Sequence, residues 1–323
     1  MSLKDNFSST KYSPYIHNIN PYKAYIELDN TLGQGKVYIH KVFDGILALL
    51  INISSNEWPT SETSDSRNLI FINYCIKGRC EVSLDNGLTT CVSEGEISIS
   101  KSSAIKEFLY PLKQYEGIEF VFDIHTLKNA SSFFKDGFGI DIVSTLEYYT
   151  SEALPFTVAA NSPIRELMDE IYKKTNSENL FQIKLNTLQL LYLLAQKEIS
   201  SDYKKRVYLS SVQTQIAKAT RDVISKDLQR KITVAELSQT FGVSSTTLKT
   251  YFKGLYGKNI SVYLQELRMN EAAKQIAQTE FPVSEIAGMV GYENQSKFAA
   301  VFKDYFEVSP MEYRRLKRLE GTV

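Results

Sequence analysis

Apolar and polar residues alternate over short runs between residues 26 and 122. Residues 69–76 are rich in β-branched and aromatic side chains, and the runs 80–84 and 88–92 flank Asp85-Asn86-Gly87. An Asn-Gly pair between two such runs indicates a β-hairpin, because both residues tolerate a positive φ. Short strands separated by turns at this spacing predict a small antiparallel barrel or sandwich.

The periodicity becomes helical after residue 160. Ser162-Pro163 is typical of a helix start, with serine as the N-cap and proline at the first helical position. The apolar residues at helical spacing are Ile164, Leu167, Met168 and Ile171, followed in a second run by Phe181, Leu185, Leu188, Leu191, Leu194 and Ala195. The two runs predict a helical hairpin, which either packs against the sheet or forms a dimer face. The polar stretch 200–211 then predicts a linker.

The region after the linker contains an internal repeat, in which residues 232–244 resemble residues 281–293. One additional residue follows in the second copy, so the offset changes from 49 to 50. The matching pairs are Val234/Val283, Glu236/Glu285, Leu237/Ile286 and Gly242/Gly291, and then Leu248/Phe298, Phe252/Phe302, Lys253/Lys303 and Tyr263/Tyr313. A repeat of this kind indicates one supersecondary unit that is used twice.

Each copy has the parts of a helix-turn-helix. In the first copy, Thr233-x-x-Glu236 is a capping box, Gly242 ends the helix and Ser244 caps the next helix. In the second copy, Pro282 opens the first helix, Gly291 closes it, and residues 294–305 form the second helix. A long helix without internal glycine or proline, residues 260–277, joins the two copies.

The second helix of each copy presents polar side chains outward, among them Asn294, Gln295 and Lys297. Asn and Gln can form bidentate bonds with adenine, and Lys can reach guanine or phosphate. Two such helices at a fixed separation can occupy successive major grooves, about 34 Å apart. The alternative is a helical bundle with solvated polar faces, but it does not explain why turn glycines and apolar positions recur together.

These motifs resemble the AraC/XylS family of bacterial transcription regulators over about residues 212–317. The most specific motifs are residues 282–292, Phe298, Phe302-Lys303 and residues 308–314, with Leu267-Arg268 and Ala272 on the joining helix. The resemblance implies a monomeric domain with two helix-turn-helix units that binds promoter DNA. By position, its DNA contacts map onto Ser245, Thr246, Thr247, Lys249 and Thr250, with Lys253 on the same outward face, and onto Asn294, Gln295, Ser296, Lys297 and Ala300.

The chain departs from the family pattern in three places. Glu307 stands where the family often has glycine, which puts the geometry of that turn in doubt. Ala300 stands where many members have arginine, so one strong contact to DNA is expected to be missing. Asn259-Ile260 replaces the Ser-Pro of the second copy, which is expected to change only a helix cap.

The N-terminal region is similar to the effector domains of the same family, on the basis of strand order and of Gly78, Asn86-Gly87 and Gly95. The fold class implied is α+β and multidomain. It comprises a cupin-like antiparallel β-barrel over residues 1–150, a helical hairpin over residues 151–205 that is a candidate for dimerisation, and an all-α DNA-binding domain over residues 206–323. Tyr, Phe and Ile in the strands either line an effector pocket or fill a core.

The expected function is therefore a sequence-specific regulator, an activator rather than a repressor, that is tuned by an effector at the N-terminal domain. The resemblance implies promoter DNA, RNA polymerase, a small-molecule effector and a second copy of the chain as partners. A regulator controlled by a protein partner is the first alternative. An enzyme fused to a DNA-binding module is the second alternative.

Composition changes this interpretation little. The net charge is zero, but residues 217–323 carry 16 basic and 12 acidic residues, a net charge of +4, which favours nucleic acid weakly. Cys75, Cys80 and Cys91 lack the spacing of metal ligands, and His17, His40 and His125 are scattered, so we expect half-buried reduced thiols and neither a metal nor a cofactor. Polar residues 1–13 and the absence of long apolar runs predict a cytoplasmic protein without a membrane partner.

Overall fold

The computed structural model describes residues 16–30, 33–55, 68–174, 179–197, 199 and 206–320. The chain divides into two compact units, of which the first ends at Ser211 and the second begins at Val212. The polar residues 1–13 and residues 200–205 of the predicted linker lie outside the described residues. The finer division into three domains at residues 150 and 205 stays a prediction.

The described part of the first unit contains an antiparallel sheet of 11 strands. Its main path runs β1-β2-β3-β4-β9-β5-β6-β11, while β7 pairs with β5 and β10, and β8 pairs with β5. The strands are β1 (Ile16–Asn20), β2 (Lys23–Asn30), β3 (Gly33–Phe43), β4 (Ile46–Ser55), β5 (Leu69–Leu84), β6 (Leu88–Ser93), β7 (Glu96–Lys101), β8 (Ile105–Leu109), β9 (Gln114–Asp123), β10 (Phe156–Ala159) and β11 (Leu209–Ser210). The predicted antiparallel sheet is confirmed, and its closure into a cupin-like barrel stays a prediction.

Strand β5 joins two parts of the sheet, because its first half pairs with β7 and β9 and its second half with β6 and β8. Two separate strands were expected here, but the chain continues through Gly78, which has φ 89°. A Cβ at Gly78 would lie 2.1 Å from the Gln114 carbonyl oxygen, so glycine lets β5 pass close to β9. The predicted hairpin is confirmed: Gly87 N donates to Leu84 O at 3.0 Å, and Gly87 has φ 79°.

The described residues of the first unit also form five α-helices: α1 (Ile124–Asn129), α2 (Ser131–Phe138), α3 (Ile142–Tyr149), α4 (Ser162–Lys174) and α5 (Leu180–Ala195). They pack on the face of the sheet that carries Ile72 and Phe120, and a large apolar core forms between them. The opposite face, with Cys75 and Tyr115, encloses a second core. The side chains therefore alternate between two cores along each central strand.

The helical region differs from the prediction in three respects. Helices α1 to α3 follow the predicted strands, which end at residue 122, but lie within residues 1–150, the range assigned to the β-barrel; aspartates cap two of them. Helix α4 is capped by Asn161 Oδ1, which accepts from Ile164 N at 3.2 Å, and Ser162 is not the cap. The predicted apolar face of α4 is buried, whereas Phe181 and Leu185 of α5 are 71% and 49% exposed.

Residues 206–210 of the predicted linker belong to the first unit. Arg206 forms a bidentate ion pair with Glu96, at 2.9 and 3.0 Å, and Thr90 Oγ1 donates to Val207 O at 3.2 Å. Strand β11 then pairs with β6. This part of the predicted linker therefore binds the edge of the sheet, through the Arg206 ion pair and the pairing of β11.

The described residues of the second unit form helices joined by turns, without a strand. Its helices are α6 (Ser211–Lys226), α7 (Val234–Thr240), α8 (Ser245–Tyr256), α9 (Ile260–Gln278), α10 (Val283–Met289), α11 (Gln295–Phe306) and α12 (Pro310–Glu320). One core joins α9 to α10 and α11 through Met269, Ile286, Phe298 and Phe302. No helix among the described residues is long and apolar enough to cross a membrane.

The cysteines are fully buried, where half-buried side chains were expected. Cys75 and Cys80 lie in β5 and Cys91 lies in β6. Burial raises the pKa of all three thiols, which makes them poor nucleophiles. The described residues contain no group of three or more His, Cys, Asp or Glu side chains that could hold a metal ion.

Candidate nucleic-acid interface

Helices α7 and α8, with the turn between them, form the first helix pair. Thr233 and Glu236 make the predicted capping box: Glu236 N donates to Thr233 Oγ1 at 3.2 Å, and Thr233 N donates to Glu236 Oε2 at 2.7 Å. Gly242 takes φ 64° in the turn, and Ser244 Oγ accepts from Thr247 N at 3.1 Å. The first pair therefore starts, turns and restarts at the residues expected from the sequence.

Helices α10 and α11 form the second helix pair. Pro282 is the N-cap of α10, Gly291 takes φ 81° in the turn, and Asn294 Oδ1 accepts from Lys297 N at 2.9 Å. The bounds of the helices reproduce the repeat, because α10 begins 49 residues after α7 and α11 begins 50 residues after α8. The additional residue lies in the turn, so the helices of the two pairs have equal lengths of 7 and 12 residues.

The turn of the second pair is packed, whereas the turn of the first pair is open. A Cβ at Gly291 would lie 2.5 Å from Leu228 O, while a Cβ at Gly242 would meet nothing within 4 Å. Arg268 of α9 donates to Leu228 O at 3.0 Å and lies 5.9 Å from the centre of the Tyr292 ring. Helix α9 thus ties the second turn to the segment that precedes the first pair.

Arg314 of α12 plays a comparable part for the segment before the second pair. Its guanidinium donates to Ile276 O at 3.2 Å and to Phe281 O at 2.7 Å. Both arginines therefore bind backbone carbonyl groups next to a helix pair, which orders the approach to each pair. Both arginines lie in the family motif, but their positions in the sequence alone indicate no role.

The site residues expected on α8 divide into two groups. Thr246, Lys249, Thr250 and Lys253 are exposed, whereas Ser245 and Thr247 are half-buried. The hydroxyls of Ser245 and Thr247 are already hydrogen-bonded, to Ser238 Oγ at 3.1 Å and Ser244 Oγ at 2.8 Å, and Thr250 Oγ1 donates to Thr246 O at 3.0 Å. Thr246, Lys249 and Lys253 have no side-chain partner among the described residues, so their polar groups point to solvent.

All five residues expected at α11 lie on one exposed surface: Asn294, Gln295, Ser296, Lys297 and Ala300. Asn294 uses its carbonyl oxygen as the cap, which leaves its amide NH₂ group. The remaining side chains make no hydrogen bond or ion pair with any described residue. Lys303, exposed and equivalent to Lys253 in the repeat, belongs to the same helix and was missed, although the repeat itself pointed to it.

Unpaired lysines lie on the exposed sides of both helices. Lys249, Lys253, Lys297 and Lys303 find no acidic partner within the part of the chain that the structure describes. By contrast, Lys231 is paired with Glu293 at 2.6 Å beside the second turn. Lys297 lies in the first turn of α11, where the N-terminus of the helix also attracts anionic phosphate groups, whereas Lys253 and Lys303 lie in the last turns of α8 and α11.

Glu307 ends α11 in the left-handed conformation, with φ 64°, and Gly257 ends α8 in the same way, with φ 74°. The sequence put this turn in doubt, and the structure shows that its geometry is kept. In each case the backbone N–H donates to a lysine carbonyl four residues earlier at 2.8 Å. Asn259, the third departure, makes no side-chain cap bond to α9.

Residues 237–316, which cover most of α7 and all of α8, α10 and α11, match a family model described as a helix-turn-helix domain. The transcriptional activator CfaD of Escherichia coli is 31% identical over 124 residues, which are 38% of this chain and 46% of CfaD. The dual regulator Rns of Escherichia coli is 27% identical over 149 residues, 46% of this chain and 54% of Rns.

The multiple antibiotic resistance protein MarA of Salmonella typhimurium is 29% identical over 93 residues, which are 29% of this chain and 73% of MarA. The chain spans about half the length of CfaD and Rns. By this DNA-binding domain and these relatives, the chain belongs to the AraC/XylS family of transcription regulators.

Proposed function

We propose that the protein is a sequence-specific transcription activator in which both helix pairs act as helix-turn-helix units. Helices α8 and α11 would enter successive major grooves of promoter DNA. The observation that carries this proposal is the pair of exposed polar surfaces at the starts of α8 and α11, in one compact unit whose helices are joined by α9. Relatives with the same domain are named activators or regulators.

The two helix pairs are expected to contribute unequally to DNA recognition. Helix α11 offers amide groups at Asn294 and Gln295, which suit adenine, and Lys297, which suits guanine or phosphate. On α8, most hydroxyls are used within the protein, and the available groups are Thr246 and two lysines. We therefore assign most base recognition to α11 and most anchoring on the DNA backbone to α8.

The test compares the full chain with the variant that carries Gln295→Ala and Lys297→Ala. The probe is a genomic fragment recovered with the purified wild-type protein. Loss of two contacts should weaken specific binding by at least about tenfold, because one good base contact is worth about 1–3 kcal/mol. Electrophoretic mobility shift or fluorescence anisotropy measures the change.

The matched control carries Gln265→Ala and Lys274→Ala, which remove the same residue types from exposed positions on α9. Its affinity should equal that of the wild type. Affinity for DNA should also fall steeply with salt concentration, because lysine contacts to phosphate release counterions. Equal affinities for the α11 variant and the wild type would contradict the assignment.

The first unit is proposed to be the regulatory part, a cupin-like barrel that binds a small effector. Support comes from its second core, where Leu47, Leu49, Phe71 and Phe108 line the enclosed face of the sheet yet remain partly exposed. Such side chains can line a ligand pocket. A protein partner at this unit is the alternative, and a family role also implies contact with RNA polymerase.

The exposed side of α5 supports self-association of the chain. Phe181, Leu185 and Tyr192 are 71%, 49% and 53% exposed, and they lie at helical spacing on one side of α5. Large apolar side chains grouped in this way are typical of a protein–protein contact. We therefore propose a homodimer, for which sedimentation of the full chain is the direct measurement.

A further inference from the structure

A row of polar side chains crosses the enclosed face of the sheet. Glu119 of β9 is opposite Asn73 of β5, Asn73 is opposite Ser98 of β7, and Ser98 is opposite Thr157 of β10. Directly opposite residues of antiparallel strands point to the same face, so the four side chains form one continuous row. Polar residues at such positions are costly unless they have partners.

A chain of hydrogen bonds leads from Tyr115 through Asn73 to Glu119. Tyr115 Oη donates to Asn73 Oδ1 at 2.7 Å, and Asn73 Nδ2 donates to Glu119 Oε2 at 3.5 Å. Gly117 makes the first bond possible, because a Cβ there would lie 2.6 Å from Tyr115 Oη. The Tyr115 ring therefore lies across the position of Gly117 and fixes Asn73. As a result, the Asn73 amide presents its NH₂ group to Glu119.

The end of this chain of hydrogen bonds is the Glu119 carboxyl group. Its Oε2 accepts from Asn73, and no described residue donates to its Oε1. Glu119 is partly exposed, yet it is surrounded by enough protein that burial raises its pKa to about 7. The partly exposed area around Glu119 on the enclosed face of the sheet is called the recess.

The walls of the recess are apolar. Leu49 is directly opposite Glu119, and Leu47, Phe71 and Val121 occupy the adjacent row on the same face. The Phe108 ring stands edge-on to Phe71 with 6.3 Å between ring centres. All five apolar side chains are partly exposed, so they are available to contact a ligand.

We propose that this recess binds a small hydrophobic amine, with the ligand's cationic nitrogen on Glu119 and its apolar body on Leu47, Leu49 and Phe71. This inference rests on the proposed effector role of the first unit and names the class of effector. The Asn73 amide donates to one oxygen of the Glu119 carboxylate. The other oxygen has no donor among the described residues, so it can accept a hydrogen bond from a ligand. An ammonium group supplies that donor and also neutralises the charge.

The electrostatic surroundings favour a cation over an anion. Within the described residues, no basic side chain acts on Glu119; Asn73 is its one polar influence besides burial. Tyr115 and Cys80 are the titratable groups that interact with Glu119, and burial raises the pKa of both, so they stay neutral near neutral pH. A ligand carboxylate would therefore meet a second negative charge with no positive charge to offset it.

The first experiment is calorimetric titration of the full chain with primary alkyl amines from butyl to octyl. Each amine is compared with the alcohol and the carboxylate of the same length. The amine of best fit should bind at least about tenfold more tightly than its alcohol, because a hydrogen bond between two charged groups is stronger than one from a neutral hydroxyl. Glu119→Gln should abolish this preference, whereas Glu94→Gln, an exposed turn residue, should not change it.

The wild-type protein provides a test that needs no variant. A carboxyl group with a pKa near 7 must lose its proton to hold an ammonium group, so amine affinity should fall as the pH is lowered through 7. Between pH 8 and pH 6 the loss should be about tenfold, since the amine itself stays charged over this range. Affinity for the alcohol should not change.

The second experiment adds the amine of best fit to the complex with DNA. It should change operator affinity by about fivefold or more in the wild type, and not in Glu119→Gln. Equal affinity for amine and alcohol, or tighter binding of the carboxylate, would overturn the inference. The titrations contain no DNA, so a failure of DNA binding would contradict the proposed regulator and would be distinguishable from a failure of amine recognition.

Discussion

The two helix pairs of the second unit have the same lengths and capping scheme but differ in how their turns are supported. The first turn, at Gly242, has open space around it, and the second, at Gly291, packs against Leu228 O and Arg268. The one additional residue of the second turn accompanies this difference, since Tyr292 lies by Arg268 and Glu293 pairs with Lys231. Two copies of a sequence repeat can therefore differ in packing: here one turn has no close neighbours, and the other contacts the rest of the domain.

The same contrast extends to the exposed surfaces. On α8, internal hydrogen bonds use the hydroxyls of Ser245, Thr247 and Thr250. On α11, the polar side chains from Gln295 to Lys297 stay without partners among the described residues. The first pair, whose turn is open, therefore uses most of its surface hydroxyls in internal hydrogen bonds. The second pair, whose turn is packed, leaves its polar side chains free to contact DNA. Rigid support behind an available polar surface is what specific recognition requires.

The strongest test of this contrast is alanine at each turn glycine. Gly291→Ala should lower the free energy of unfolding by about 3 kcal/mol, through left-handed strain and overlap with Leu228 O. Gly242→Ala should cost only about 1 kcal/mol, because strain is the one contribution there. Urea unfolding followed by circular dichroism measures both values. Equal decreases in the free energy of unfolding would show that the packing around Gly291 does not contribute to stability.

The surface of α11 can be tested by restoring the arginine common in the family. Ala300 is exposed next to the proposed contacts, so Ala300→Arg should raise affinity for DNA by about tenfold through a new phosphate or base contact. Ala277→Arg adds the same charge at an exposed position on α9 and should change affinity much less. Anisotropy titrations at matched salt give both values. A similar gain in the two variants would indicate attraction by net charge alone.

The smallest expected effect concerns the ends of the two recognition helices. Glu307→Gly should stabilise the protein by about 1 kcal/mol, because glycine adopts positive φ without strain. Gly257→Ala should destabilise it by about the same amount for the same reason. Thermal unfolding of both variants provides the measurement. A loss of stability in Glu307→Gly would show that the Glu307 side chain offsets its backbone strain.

The local features of the second unit could be predicted from the sequence because they depend on neighbouring residues. The capping box at Thr233, the cap at Ser244 and the turn at Gly242 each involve residues within a few positions. The left-handed Glu307 does not follow from its own residue type, because glutamate rarely adopts a positive φ; around it, Phe302 and Phe306 of α11 pack against Tyr313 of α12. The repeat, through Gly257, was the one available signal.

The first unit was less predictable because its decisive contacts are distant in sequence. The pairing of Asn73 with Glu119 and the bond from Tyr115 depend on strand register, which alternation alone does not give. Likewise, the apolar residues of α5 fitted one helical stripe in sequence, but the structure buries Leu191 and Leu194 and exposes Phe181 and Leu185. Which residues of an apolar helix face the core depends on what covers it.

Helices α8 and α11 each comprise 12 residues between a polar N-cap and a left-handed residue. Both ends are thus fixed by backbone geometry and capping, and neither depends on the exposed side chains in between. The outward residues can consequently be replaced while the helix frame stays in register. During evolution, a change of target sequence therefore requires only a few substitutions on the exposed surfaces of these two helices, and the fold of the domain can stay the same.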